Sequence, residues 1–508
     1  MAAAAPDSLI RRRRLIAGVV AVLAVLAIVA GVVVATNGGA GPAIADEAAT
    51  LVPSDALVYV HVSTDRDRAA VRDAQKLGDR FPSYERLEAR VLDQLAVAGD
   101  VRSWLGDEMA LALTAGKGGT AGSLVLLSIG DQDKAKAFVE EGARKSGPGK
   151  TYKGVRLARY GAVYAAFVGD FVALGQAETL QQAIDLQQGR GRALAADATF
   201  RETTAGLPPD RVADAYATSD GLGRLLVPAG GALGIAGVLF DRPGLKGVAA
   251  SLRATSPGAE VVVRSLVPGR KAQEFTPSLL EAVPKDAMAY YGTRGLDQNI
   301  TRLLSTAGTE NLADLLEQVT SSLGGKGVEA VRQDLLGLLS NESAVALLPS
   351  VPAPIALIIA RAENADATRA ALGRLTETLP KVLKGAKVTQ RDGVTTIASS
   401  QAEFDLAVID DKLVASTSMK GIEAVRDPDG GIADNDHFRA TVKNTAKPVT
   451  SVVFLDFSQL LTLAEQTGLN DSRAYLAVRN DLRKLQAVGV GSTGAGEDTT
   501  SEIRFQIP

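Results

Sequence analysis

From Leu51 the chain reads "LVPSDALVYVHVS", a Pro-Ser-Asp turn running into an apolar, β-branched and aromatic stretch. A bounded run of this kind predicts a strand, here over about Leu57 to Val62. A charged stretch at helical spacing follows from about Arg68 to Ala98. Two apolar runs come next, Met109 to Thr114 and Ser123 to Ile129, and the glycine-rich "AGKGGTAG" between them predicts a hairpin loop. "DQDKAKAFVEEGARK" from Asp131 starts acidic, ends basic and repeats its apolar positions at helical spacing, the pattern of an amphipathic helix. "VRLARYG" and "VYAAFVGDFVALG" predict two more strands leading into a helix from about Glu178 to Gln188. Strands near Val212 to Thr218, Val248 to Ala254 and Glu260 to Val267 close the series. Consecutive strands on tight turns, with helices inserted between groups, predict a mainly antiparallel α+β sheet rather than a doubly wound parallel one.

The same pattern then returns. "AVPKDAMAYYGTR" from Ala282 answers the opening stretch, "LSNESAVAL" from Leu339 answers "LGDEMALAL" from Leu105, and "DDKLVASTSMKGIEAV" from Asp410 answers "GDFVALGQAETLQQAI" from Gly169. "NDHFRA" from Asn435 faces "DATFRE" from Asp197, placing Phe438 over Phe200, and "IRFQIP" at the end faces "VRSLVP" ending at Pro268. An ordered series at a nearly constant offset is the signature of internal duplication. It predicts two tandem homologous α+β domains, over 48–268 and 282–508 with a linker at 269–281.

Ahead of the repeats, Leu15 to Thr36 carries no charge and follows four consecutive arginines, Arg11 to Arg14. A helix of that length, at ~1.5 Å per residue, spans a hydrocarbon core of ~30 Å. The arginines keep the 1–14 segment cytoplasmic and send the rest outward, so 15–36 is expected to be a transmembrane helix and 37–47 a linker. The alternative is a cleaved signal peptide, because "AIA" at Ala43 to Ala45 has the small-x-small form of a cleavage site. The expected location is the cell membrane, single-pass, with the bulk extracytoplasmic.

The chain of 508 residues exceeds what one core holds. Its formal charge is −3, and since the first 36 residues carry +3, the remainder stands at −6. No basic footprint for nucleic acid is left. With no cysteine, disulfides, thiolate nucleophiles and Cys-type zinc sites are excluded, as is a lipid-bearing cysteine. The Pro-x-Asp-Ala turn before an aromatic-containing strand, "WLGDE", the "DxxF" element and the preceding anchor resemble the domain-of-unknown-function family 3352 of bacterial, largely actinobacterial, envelope-facing proteins. The resemblance covers roughly Ala48 to Pro508. It implies no catalytic residues, since the family has no established activity.

Candidate chemistry is sparse. His61 and His437 are the two histidines, and their counterparts in the other repeat are Gly292 and Thr199, so each reads as a surface or hydrogen-bonded structural residue. "DPDGGIADNDH", Asp427 to His437, is dense in oxygen ligands but lacks EF-hand order and reads as a solvated, turn-rich connection. The paired acids Asp55/Asp286, Glu108/Glu342 and Asp170/Asp411 read as turn residues entering strands. No phosphate loop, dinucleotide fingerprint or nucleophile elbow is present, and no cofactor or metal is expected.

The repeats disagree most at "LLVPAGGALGIAGVLF", Leu225 to Phe240, which is uncharged, whereas the equivalent stretch from Leu461 reads as an amphipathic helix. Leu225, Leu226, Val227, Leu233, Ile235, Val238, Leu239 and Phe240 are therefore the candidate contact for a lipid or envelope protein partner, the alternative being a buried glycine-rich segment. The expected function is that of a membrane-anchored, non-enzymatic binding or structural envelope protein. The alternative is an envelope hydrolase or transferase using carboxylate or hydroxyl residues.

Overall fold

A computed structural model describes residues 44–86, 101–115, 121–226, 244–268, 273–296, 337, 339–351, 353–382, 387–398, 403–495 and 497–508. The segment 15–36 expected to cross the membrane lies outside them, and no described helix is long and apolar enough to do so. The chain is α+β and divides into two compact units. One holds residues up to Arg270 with 478–484 and 497–500, and the other holds 271–477, 485–496 and 501–508.

The first unit contains β1 (Ala56–Ser63), β2 (Leu105–Ala115), β3 (Ala121–Ile129), β4 (Lys150–Tyr152), β5 (Val155–Tyr160), β6 (Val163–Val168), β7 (Phe171–Gly175), β8 (Ala213–Thr218), β9 (Gly247–Thr255) and β10 (Gly258–Leu266). All pair antiparallel in the order β4-β5-β6-β7-β3-β2-β1-β8-β9-β10. "VYAAFVGDFVALG" forms two strands rather than one, because Gly169 takes φ +58° and turns the chain back after Val168. β1 is buried along its whole length, as a central strand covered on both faces must be.

One face of this sheet carries the core. Tyr59 and His61 of β1 lie beside Ala112 and Ala110 of β2, which lie beside Leu124 and Leu126 of β3. The small alanines leave room for the neighbouring rings. Helices Ala177–Gln187 and Ala198–Thr204 and the short 3-10 turns Ala48–Thr50 and Leu194–Ala196 supply the other side, with Leu180, Ile184, Leu194 and Phe200 packed in. Helix Gln132–Ser146 is opened by the side chain of Asp131, which accepts from Lys134 N, and closed by arginine and lysine, as its charge pattern predicts. Of the charged stretch 68–98, Ala69–Gly78 and residues 84–86 are helical, and 87–98 lies outside the described residues.

The second unit contains β11 (Ala289–Arg294), β12 (Glu342–Leu348), β13 (Ile355–Arg361), β14 (Lys387–Arg391), β15 (Val394–Ala398), β16 (Glu403–Ile409), β17 (Lys412–Ser416), β18 (Ser451–Asp456), β19 (Ala487–Ala495) and β20 (Asp498–Gln506) from Ser501 onward. Its pairing runs β14-β15-β16-β17-β13-β12-β11-β18-β19, antiparallel throughout, with β20 beside β19. This is the order of the first sheet with ten added to each strand number. The turn before β11 is closed by the Ala287 N–H on Pro284 O, as that before β1 is closed by the Ala56 N–H on Pro53 O, but β1 starts at Ala56 and β11 only at Ala289. Phe275, Leu279 and Leu280 already belong to this core. The stretch from Leu461 is not one amphipathic helix. Phe457–Gln466 is helical, Gly468 then takes φ +108°, and a 3-10 turn and two four-residue helices, Arg473–Leu476 and Arg479–Leu482, follow.

Candidate functional site: a buried charge cluster in the first unit

Four ionisable residues meet on the core face of the first sheet. His61 of β1 stands directly opposite Asp214 of β8, and Glu108 of β2 stands opposite Ser63, two residues along the same face. The segment before the Ala48–Thr50 turn brings Asp46 over them. His61 is 0% exposed, Asp214 2% and Glu108 7%, while Asp46 is half-buried. Charged groups at such depth persist only when paired.

The pairing is extensive. His61 Nε2 lies 3.0 Å from Glu108 Oε2, and Nδ1 lies 3.6 Å from Asp214 Oδ1, beyond hydrogen-bond length. Arg211 Nε donates to Asp214 Oδ1 at 2.7 Å, and its Nη1 donates to Pro208 O. The Tyr59 hydroxyl donates to Asp46 Oδ1, which also accepts from Ala49 N at 3.1 Å. Glu108 receives the N–H groups of Glu47 and Ala48, both at 3.3 Å. One carboxylate thus joins the imidazole to the entering chain.

The electrostatics follow from this arrangement. Burial alone would lower the His61 pKa, but the adjacent Asp214 and Glu108 carboxylates and the charge of Asp46 outweigh it and push it up to about 10. Burial would raise Asp214, yet His61 and Arg211 hold its carboxyl below the usual range. Asp46 goes the other way, raised chiefly by burial. With no metal on its ring, His61 is therefore an imidazolium clamped between carboxylates, not an accessible base near neutrality.

The second unit keeps the scaffold and drops the charge. Gly292 stands at the position of His61 and Val452 opposite it on β18. A Cβ on Gly292 would sit 2.2 Å from Tyr290 Oη, so the tyrosine hydroxyl takes up the room of the missing ring. Glu342 still caps the entering turn, accepting from Ser278 N at 2.6 Å and Leu279 N at 3.0 Å.

Glu342 opens its strand as expected from the sequence, but Glu108 lies inside β2. Asp55, Asp170 and Asp286 sit exposed at turns and Asp411 is half-buried. His437 Nδ1 meets Gln506 Oε1 at 2.7 Å, a structural contact. In "DPDGGIADNDH", Asn435 caps helix Asp436–Thr441, Asp434 accepts from Gly431 N, and Asp429 pairs with Lys285. Leu225 and Leu226 end helix Ser219–Leu226, while Val227, Leu233, Ile235, Val238, Leu239 and Phe240 lie outside the described residues. Asp46, Arg211 and Asp214 were not singled out by sequence pattern. The available signal was a lone acid or histidine inside otherwise apolar strands, "VYVHV" and "VADAYA".

Comparison with known proteins adds a family and little else. No curated protein matches the sequence. Among solved structures, crystal form I of TP0453 is similar over 46% of this chain and 89% of its own, at 11% identity and a TM-score of 0.28. Crystal form III gives 47% and 90% at 11% identity and a TM-score of 0.28. Likeness at that level carries no argument about fold or function. The family model is another matter, since it matches residues 16–507, nearly the whole chain, and the chain belongs to the family described as "Protein of unknown function (DUF3352)".

Proposed function

We propose that this chain is a single-pass, membrane-anchored extracytoplasmic protein whose two α+β units are homologous, non-enzymatic binding or structural modules of the cell envelope. The observation that carries the reading is the uncharged run Leu15 to Thr36 behind Arg11 to Arg14. Homology of the units is supported by their common strand order and by matched details. Pro53 bridges Ala193 as Pro284 bridges Gly431, and Asp197 caps the helix of Phe200 as Asn435 caps that of Phe438. A binding role is supported over catalysis by the full burial of His61, which keeps its ring from acting as a surface base. The partner is an apolar one, lipid or protein, met by the uncharged segment Leu225 to Phe240.

A reporter active only outside the cytoplasm, fused after Thr50, should work, and the protein should fractionate with membranes. Recovery of the full-length chain in the cytosol refutes this, and a soluble exported form beginning at Asp46 replaces the anchor with a cleaved signal. One feature favours an envelope hydrolase or transferase instead. A polar cavity of about 430 Å³ is lined by Thr64, Asp65, Asp67, Asp107 and Asp131, among others, and burial together with the nearby acids raises the Asp107 carboxyl. Release of product from isolated envelope material by the purified chain would decide for that reading.

A further inference from the structure

Among the described residues, one group of metal-type side chains brings its donor atoms together. Asp46, His61 and Asp214 each offer an atom within 4.8 Å of the others. Clustered carboxylates alone prove nothing, but His61 supplies an independent observation. Its Nδ1 is fully buried and has no hydrogen-bond partner, and it faces Asp214. With Nε2 engaged by Glu108, the neutral ring would turn an Nδ1 lone pair toward negative oxygens. That position requires a cation.

The geometry suits a metal. A ligating histidine is typically held by a carboxylate on its other nitrogen, which is the place of Glu108. Two donors on one tetrahedral ion, each at ~2.0–2.1 Å, lie about 3.3–3.4 Å apart. His61 Nδ1 and Asp214 Oδ1 are at 3.6 Å, a few tenths of an ångström away, and the Asp46 oxygen, within 4.8 Å of the other donors, would close in on the ion. Charge agrees as well, since three carboxylates against the Arg211 guanidinium and a neutral imidazole leave two negative charges. One imidazole with two carboxylates suits zinc or another divalent transition ion. Calcium would need ~6 to 8 oxygens. Half-buried Asp46 gives the route of entry.

We propose that Asp46, His61 and Asp214 bind one divalent transition ion, zinc by preference, with Glu108 orienting the imidazole. The ion ties the segment entering the first unit to strands β1 and β8.

The test uses the purified full-length chain, stripped with chelator and equilibrated with zinc sulfate, with bound metal counted by mass spectrometry. About one zinc per chain is expected, with affinity ~10- to 100-fold weaker in Glu108→Gln and lost in Asp46→Asn and Asp214→Asn. Circular dichroism and the emission of Trp104 check that each variant is folded. Asp46→Asn keeps a side chain of the same shape at a half-buried position, so the test survives if Asp214→Asn does not fold. Cobalt(II) in place of zinc should give a visible d–d absorption band that is lost in Asp46→Asn. Folded wild-type protein that takes up no zinc overturns the proposal and leaves a proton as the only occupant. Undiminished binding in folded Asp46→Asn overturns it too. Bound metal is read directly, so the result is independent of membrane topology and of any activity.

Discussion

The stability of the first unit should fall as the solution is made mildly alkaline. His61 keeps its proton to about pH 10 in the fold, against 6.5 for an ordinary histidine in the unfolded chain. Between those values the folded state holds a proton that the unfolded state has released. The contribution is therefore complete below pH 6.5 and is lost as pH rises toward 10. From pH 6.5 to pH 9 the loss is about 3 kcal/mol, at ~1.4 kcal/mol per pH unit with allowance for half-titration at the lower end. The chain's one tryptophan, Trp104, is buried in the first unit, so urea unfolding followed by its fluorescence reads that unit. With an m-value of ~2–3 kcal/mol per molar, the midpoint should drop by about 1–1.5 M. The measurement is made with chelator present. His61→Gln lowers the midpoint at every pH but removes the titrating group, so its profile over this window should be much flatter. A flat wild-type profile, or parallel slopes for wild type and His61→Gln, would refute the imidazolium.

Two further outcomes follow from the packing. Phe200 stands edge-on to Tyr59 and Tyr216, and Phe438 edge-on to Tyr290 and Phe454, so truncation of either to alanine should destabilise its own unit by about 3–5 kcal/mol. Hydrogen–deuterium exchange of peptides from β1 and β11 would register each effect, and unchanged protection would contradict the shared aromatic arrangement. Gly431→Ala places a methyl 2.6 Å from the Glu281 Cα and should cost about 1–3 kcal/mol, whereas Gly223→Ala, with open space around it, should leave the thermal midpoint unchanged or raised.

The sheet was legible because its determinants are local. Turn residues and apolar runs place β1, β3, β8, β9 and β10 within a residue or two, and Asp131 marks a helix start that the backbone confirms. The misreadings came from single residues whose backbone angle decides the outcome. Gly169 splits one predicted strand into a hairpin, and Gly468 ends a predicted helix. The charge cluster was illegible for a different reason. Asp46, Glu108 and Asp214 are far apart in sequence, and only the strand register puts Asp214 opposite His61 and Glu108 one step away on the same face. The comparison of repeats, which exposed Gly292 at the position equivalent to His61, pointed away from a shared site. It also marked the histidine as something the first unit alone retains.

The docking of the chain entering the first unit has a mechanical consequence. Tension arriving from the N-terminal side meets Asp46, Glu47 and Ala48 first, where Tyr59 holds the Asp46 side chain and Glu108 holds the N–H groups of Glu47 and Ala48. Further along, Pro53 is bridged to Ala193, and the pull passes into β1, whose partners β2 and β8 flank it on both sides. A central strand loaded along its length yields only when both ladders shear at once, whereas an edge strand peels bond by bond. The clamp at Asp46 and Glu108 stands ahead of those ladders, and it shares its Glu108 carboxylate with the buried His61 ring.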